Sequence, residues 1–232
     1  MLERILLVVV RALFLHDLRM LRMGSLALTL PHTALVYLTL SQPSISLVMI
    51  LVQHSTYIIS GMTGLVLYSS VLASIPASWM AFTQALLDAA SGGPGSPARY
   101  VEIWARSYAA SSAILYLVHT LNPSEISYTL WRLTQSCSTA LSPLLIYRAI
   151  SGLLSEAFET ITTHRLKGVP PWRTLAILIF RSAEVSEMME EGSYSHISRC
   201  RPRPLYSARG LALQALILAI DAVLFIASQH LY

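Results

Sequence analysis

The first half of the chain contains a long, largely hydrophobic stretch without charged residues. From Gly24 to Leu87 there is no Asp, Glu, Lys or Arg. Because a membrane-spanning helix needs roughly 20 predominantly apolar residues, this stretch has room for three spans. A polar turn at 41–44 divides it, and we expect spans at about 25–40, 45–60 and 62–87.

Two later apolar stretches predict a fourth span at about 100–121 and a last span that ends near 231. The fourth contains Glu102 and Arg106, four residues apart on one helix face, where the two side chains can pair. An alternative interpretation places Glu102 at the membrane boundary and only Arg106 deep. We interpret Arg106 as a structural residue that positions the helices within the membrane, because intramembrane charge is costly unless it is paired or protected.

The region between the fourth and last spans has a different pattern. Asn122 and Pro123 form a helix start with a capping residue followed by proline at the first helical position, and this helix should run to about 135. Ser142-Pro143 predicts a second start, and an amphipathic stripe at three- and four-residue steps follows from 146 to 161. Gly168 should end that helix, and a third helix is expected at about 172–190.

The predicted fold class is therefore all-α, a polytopic membrane protein with about five transmembrane helices and a cytoplasmic helical domain. We divide the chain into an N-terminal cytoplasmic-surface helix at 1–24, four transmembrane helices at 25–121, cytoplasmic helices at 122–206 and a last transmembrane helix at 207–232. The arginines at 4, 11, 19 and 22 suit a helix that lies on the membrane surface.

Charge placement predicts the orientation. Charged residues make up only 12% of the chain, against about 25% in a typical soluble domain. With the N-terminus in the cytoplasm, every basic cluster falls inside, and the loop around 91–97 lies outside without a basic residue. We therefore expect a multi-pass protein of the cell membrane. Nucleic-acid binding is the other common reading of a basic chain, and we do not expect it here because acidic residues are interspersed.

Several kinds of site are not expected. His32, His54 and His119 are scattered over three predicted spans, and we interpret them as polar packing residues rather than metal ligands. Cys137 and Cys200 fall in the predicted cytoplasmic region, where we expect reduced, structural thiols. The chain has no GxxxxGK[ST] phosphate-binding loop and no serine in a GxSxG or SxxK context. We expect neither a cofactor nor enzymatic activity.

The pattern of four spans, a long cytoplasmic helical insert and a final span resembles the transmembrane T component of energy-coupling factor (ECF) transporters, which include cobalt and nickel permease subunits. The resemblance covers about residues 98–231. It is carried by Arg106, by the helix entry at 122–126, and by 147–156. Residues 165–168 stand where the family has a short Ala-Arg-Gly motif, with Lys167 in place of its arginine.

A second family motif, Met-Glu-Ala-Arg-Gly-Tyr, is similar to residues 189–194. Here Gly192 occupies the arginine position, and Arg199 is the basic residue that follows. The resemblance implies an ATPase-coupling set, which consists of Arg165, Lys167, Gly168, Glu190, Gly192 and Arg199. From the residues alone, Arg165 and Lys167 are also explained by the helix dipole, which favours cations at a helix C-terminus.

The resemblance further implies the partners and the mechanism. Two ATP-binding cassette ATPase subunits would receive the coupling helices in their grooves, and a separate substrate-binding membrane (S) subunit would release a vitamin or a metal ion after tipping in the lipid bilayer. Two alternatives stay open: a permease half of another ABC transporter class, and a membrane-embedded enzyme. The sequence does not name the substrate.

Overall fold

The computed structural model describes residues 24–93, 95–170, 173–174, 177, 179–181, 184 and 202–230, with the backbone alone at 147–155 and 158. Every secondary-structure element in these residues is an α-helix. Seven helices have both ends within the described part of the chain: α1 (Leu26–Leu38), α2 (Pro43–Ile59), α3 (Thr63–Ala90), α4 (Pro97–Thr120), α5 (Pro123–Thr134), α6 (Cys137–Leu166) and α7 (Ala208–His230). The predicted surface helix at 1–24 lies almost entirely outside the described residues.

Local sequence signals account for the helix starts. The Ser25 side chain accepts a hydrogen bond from the backbone N–H of Ala27 at the start of α1. The Ser96 side chain does the same for the N–H of Arg99 at the start of α4. These hydroxyls satisfy backbone donors that have no partner inside the helix. Proline occupies the first position of α2, α4 and α5, where its missing N–H costs no helical hydrogen bond.

The chain divides into two compact units. Unit 1 contains helices α1 to α4 and α7. Within it α4 packs on α1, α2 and α3, and α7 packs on α1 and α2. Its core has two clusters of buried apolar side chains, formed by Tyr57, Leu65, Tyr116 and Ile217 in one and by Val36, Met49, Ile50, Ala109 and Ala113 in the other. The last helix of the chain is therefore packed beside the first described one.

Unit 2 spans Pro123–Leu205 and includes the packed pair α5 and α6. The predicted start of its second helix at Ser142-Pro143 is wrong, because α6 begins at Cys137 and Pro143 lies inside it. Ser136 caps the helix by accepting from the N–H of Thr139. Pro143 removes its own N–H from the helical ladder and its ring crowds the carbonyl of Thr139, yet the helix continues to Leu166.

The expected reduced state of the cysteines is also not what the structure contains. Cys137, at the first position of α6, is disulfide-bonded. Its partner lies outside the described residues. Disulfides persist in oxidising compartments and are rare in the cytosol, so this bond bears directly on which side of a membrane unit 2 faces.

Two helices are long and apolar enough to span a membrane, namely α3 with 28 residues and α7 with 23. By length and composition, the described residues therefore contain two candidate spans and not the predicted five. Helices α1 and α2 are apolar but have only 13 and 17 residues, below the roughly 20 that a perpendicular span needs. Helix α4 is long enough, but Arg99, Glu102 and Arg106 lie in its first half.

Candidate functional site

The C-terminal end of α6 carries the first candidate site. Gly168 has φ +68°, in the left-handed region that favours glycine. Its N–H donates to the carbonyl of Arg165 over 3.2 Å, and the N–H of Val169 donates to the carbonyl of His164 over 2.9 Å. These two bonds form a Schellman motif, which closes the helix. We call Arg165, Lys167 and Gly168 the basic helix end.

The basic helix end is exposed to solvent at all three positions. The residues that follow fold back along the same unit, since His164 Nδ1 and Thr174 Oγ1 are 3.0 Å apart. Two cations at a helix C-terminus are favoured by the negative end of the helix dipole. Exposed arginine and lysine at a rigid turn can also pair with carboxylates on another protein.

An ion-pair network lies further along the same unit. Arg181 Nε is 2.9 Å from Glu156 Oε1, and Arg181 also donates to Glu184 over 2.9 Å. The hydrogen bond to Glu184 and the negative charge of Glu156 raise the pKa of Arg181 above its ordinary value. This network joins α6 to the helical residues around 181.

The other predicted coupling residues, Glu190, Gly192 and Arg199, lie outside the described residues, so the second motif stays a prediction. Arg106 belongs to unit 1. It forms an ion pair with Glu102 one turn earlier on α4 and donates to the carbonyl of Ser41 over 3.4 Å. Both side chains of the ion pair are 44% exposed, and Arg106 thereby connects α4 to the turn between α1 and α2.

The second candidate site is buried in unit 1, and we call His32, Gln53 and Asp221 the polar cluster. Nδ1 of His32 on α1 is in hydrogen-bond contact with Oδ2 of Asp221 on α7. His32 Nε2 lies 3.3 Å from Gln53 Oε1 on α2, and Gln53 Nε2 donates to the carbonyl of Ser112 on α4 over 3.0 Å. The three side chains are at most 1% exposed. Four helices are therefore joined through one set of polar contacts.

Two smaller polar contacts flank this cluster. The hydroxyl of Tyr57 and Nδ1 of His119 are 2.9 Å apart, and both residues are fully buried. His54 Nδ1 donates to the carbonyl of Ile50 over 2.7 Å, and its Nε2 lies 3.2 Å from the Ser70 hydroxyl. In an apolar interior such groups are costly unless they are hydrogen-bonded. These contacts agree with the interpretation of His54 and His119 as polar packing residues.

Sequence reasoning missed the polar cluster because it looked for a carboxylate near His32. The acidic residue nearest to His32 along the chain is Asp17, whereas the actual partner, Asp221, is 189 residues away. The available signal was the coincidence of a histidine and an aspartate inside two separate apolar stretches. Intramembrane ionisable residues almost always have partners, so each was a reason to search for the other.

Metal binding finds no support among the described residues, where no three His, Cys, Asp or Glu side chains converge.

A different feature is an open apolar cavity of about 860 Å³ along α3. Its lining includes Val71, Ile75, Trp79 and Phe82 together with a row of serines. Walls of this kind accept hydrocarbon, either from lipid chains or from an apolar helix.

No family model, curated protein or solved structure matches this chain.

Proposed function

We propose that this chain is the transmembrane coupling subunit of an ECF-type ABC importer for a vitamin or a metal ion. In this role it transmits conformational changes from two ATPase subunits to a substrate-binding membrane subunit and is itself not an enzyme. Unit 1 spans the cell membrane several times with the N-terminus in the cytoplasm, and unit 2 is the cytoplasmic coupling domain. Helices α1, α2 and α4 would then join α3 and α7 as spans.

The observation that carries the proposal is the basic helix end of unit 2. Arg165 and Lys167 are exposed at a helix terminus that the Schellman motif holds in one conformation. A fixed pair of cations suits a groove lined by carboxylates, and arginine can form two hydrogen bonds with one carboxylate. The same residues carry the resemblance to the first coupling motif. The open apolar cavity along α3 offers a surface for a membrane-embedded partner.

The proposal requires helices shorter than an average span to cross the membrane. Helix α1 has 13 residues and α2 has 17, which correspond to about 20 and 26 Å at 1.5 Å per residue. A helix that is too short is accommodated by local thinning of the bilayer at a modest cost per ångström. The exposed apolar side chains on these helices, such as Leu38, Leu51 and Ile59, suit contact with lipid.

Co-purification tests the coupling role. An affinity-tagged chain is purified from native membranes, and we expect two ATP-binding cassette chains and one small membrane protein to accompany it. The double variant Arg165→Glu with Lys167→Glu should lose the ATPase chains. Arg132→Glu with Arg203→Glu is the matched control, because it makes the same change in net charge at exposed positions of unit 2. Equal ATPase recovery from both double variants would show that the basic helix end does not bind the ATPase subunits.

Membrane orientation is tested separately. Lys167→Cys is placed in a background with Cys137→Ser and Cys200→Ser and is treated with a membrane-impermeant maleimide. We expect labelling in inverted vesicles or opened cells and protection in intact cells. Labelling from outside intact cells would place unit 2 on the wrong side for ATPase contact and would overturn the proposal as a whole.

A further inference from the structure

The contact between His32 and Asp221 joins the first and last described helices of unit 1. The exposed fraction is 1% for His32 and 0% for Asp221. Separate charges at such a position would cost several kcal/mol each even after relaxation. The protonation state of the pair therefore decides whether unit 1 holds a net charge in its interior.

The orientation of the Gln53 side chain determines whether His32 Nε2 carries a hydrogen. Its amide group faces a backbone carbonyl, that of Ser112, at 3.0 Å, and a carbonyl only accepts hydrogen bonds. The amide nitrogen of Gln53 must be on that side, so its oxygen faces His32 Nε2 at 3.3 Å. Because that oxygen also only accepts, His32 Nε2 carries a hydrogen.

The contact with Asp221 requires a second hydrogen, which lies between His32 Nδ1 and the carboxyl group. His32 Nδ1 faces Asp221 Oδ2, and two lone pairs would repel each other unless a hydrogen lies between them. If the hydrogen is on nitrogen, the pair is an imidazolium and a carboxylate. If it is on oxygen, the pair is a neutral imidazole and a carboxylic acid. The net charge is zero in both cases, because moving one proton between the two atoms converts one form into the other.

Among the described residues, the groups that pack against this pair are uncharged aromatic and amide side chains. Helix α4 presents the Tyr116 ring, edge-on to His32 with the centroids 5.1 Å apart. Helix α2 presents Gln53, and its Tyr57 is paired with His119 of α4. The other Asp221 oxygen, Oδ1, is buried and accepts no hydrogen bond from the described residues. Burying an acceptor without a donor in an apolar interior is costly.

We propose that His32 and Asp221 form a proton-sharing lock between α1 and α7, which means a contact that holds one proton between its two partners and can part as two neutral side chains. A pair containing arginine could not do this, because arginine stays charged. The lock joins the two helices without a permanent charge in the interior. This inference does not depend on the transport proposal.

The protonation of the native protein gives the direct test. Protein labelled with ¹⁵N-histidine in lipid nanodiscs is studied by NMR at neutral pH. The His32 signal is identified by its absence in His32→Gln or, should that variant not fold, by its shift in Asp221→Asn. We expect a hydrogen on Nε2. An unprotonated Nε2 would leave a net negative pair and would overturn the proposal.

A substitution series tests neutrality independently. Asp221→Asn keeps the shape and gives an amide that can donate to the lone pair of Nδ1, and we expect a thermal midpoint close to that of the unsubstituted protein. Asp221→Leu removes the contact and should lower the midpoint clearly. If Asp221→Asn lowered it as much as Asp221→Leu, a charged carboxylate would be essential and the proton-sharing lock would be wrong.

Discussion

The backbone N–H of Ser25 at the start of α1 donates to the side-chain oxygen of Gln214 on α7 over 2.8 Å. Gln214 also lies against Gly24, where an added Cβ would come within 2.1 Å of the glutamine amide. The carbonyl of Gly24 accepts in turn from Asn122 Nδ2 over 3.1 Å. The first described helix is thus tied at its N-terminal end to α7 and to Asn122, two residues after the end of α4.

Replacing Gln214 should weaken this attachment. In Gln214→Leu the N–H of Ser25 loses its acceptor in a nearly buried place, since Gln214 is 2% exposed. An unmade hydrogen bond of this kind costs about 1–3 kcal/mol, and we expect a lower thermal midpoint in detergent. Gln84→Leu is the matched control, because Gln84 is less buried and bonds only to Asp88 on its own helix. Equal losses in the two variants would contradict the attachment.

The hydroxyl of Tyr57 provides a second test of the buried polar contacts. Tyr57→Phe leaves His119 Nδ1 without its partner at 2.9 Å but keeps the aromatic ring between Tyr116 and His119. We expect a loss of about 1–2 kcal/mol in the free energy of unfolding, the usual cost of removing one buried hydrogen bond. The measurement is thermal or denaturant unfolding followed by tryptophan fluorescence.

The matched control for this prediction is Tyr37→Phe. Tyr37 lies on α1 with 42% of its surface exposed, so its side chain is not enclosed by protein as that of Tyr57 is. We expect unfolding within about 0.5 kcal/mol of the parent protein, as for most surface substitutions. A neutral Tyr57→Phe would mean that the hydroxyl contributes nothing to the packing of α2 against α4.

Local sequence signals predicted the helices better than the contacts between them. The starts at Ser25 and Pro123 and the end at Gly168 follow from capping and turn chemistry within a few residues, which sequence displays directly. Pro43 was assigned to a turn, whereas it is the first residue of α2. The contact of His32 with Asp221 depends on how α1 and α7 pack, and no local periodicity encodes a contact across 189 positions. The start at Cys137 was missed because Pro143 was taken as a first helical position.

The predicted number of membrane spans also differs from what the helix lengths support. Hydropathy predicted α3 and α7 as spans because each is apolar along a length of 20 residues or more. For α1 and α2 the apolar stretches are real, but turns shorten the helices to 13 and 17 residues. Composition measures apolar length, whereas crossing a membrane also depends on where turns interrupt it.

The glycine that ends α6 gives a prediction for unit 2. Gly168 has φ +68°, and a side chain in that conformation costs about 1 kcal/mol relative to glycine. We expect Gly168→Ala to increase hydrogen exchange at the amides of 163–169 and to weaken ATPase co-purification by loosening the basic helix end. Gly168→Asn should have a smaller effect, because asparagine tolerates the left-handed conformation.

Gly93→Ala is the matched control for that series. A Cβ added at Gly93 meets no atom within 4 Å, so the substitution should leave hydrogen exchange and partner recovery unchanged. If Gly168→Ala behaved like Gly93→Ala, the left-handed turn would not be what holds Arg165 and Lys167 in place.

The disulfide at Cys137 makes the orientation of unit 2 testable in living cells. A cytoplasmic unit 2 encounters a reducing environment, in which structural disulfides are rare. We therefore expect rapid alkylation of intact cells with a membrane-permeant reagent to trap Cys137 as a free thiol, measured by mass spectrometry of the peptide that contains it. Cells lysed in air without prior alkylation should instead yield the disulfide seen in the structure. A Cys137 that resists alkylation in cells until a reductant is added would place residues 123–205 on the oxidising side of the membrane, and the basic helix end would then face away from any ATPase.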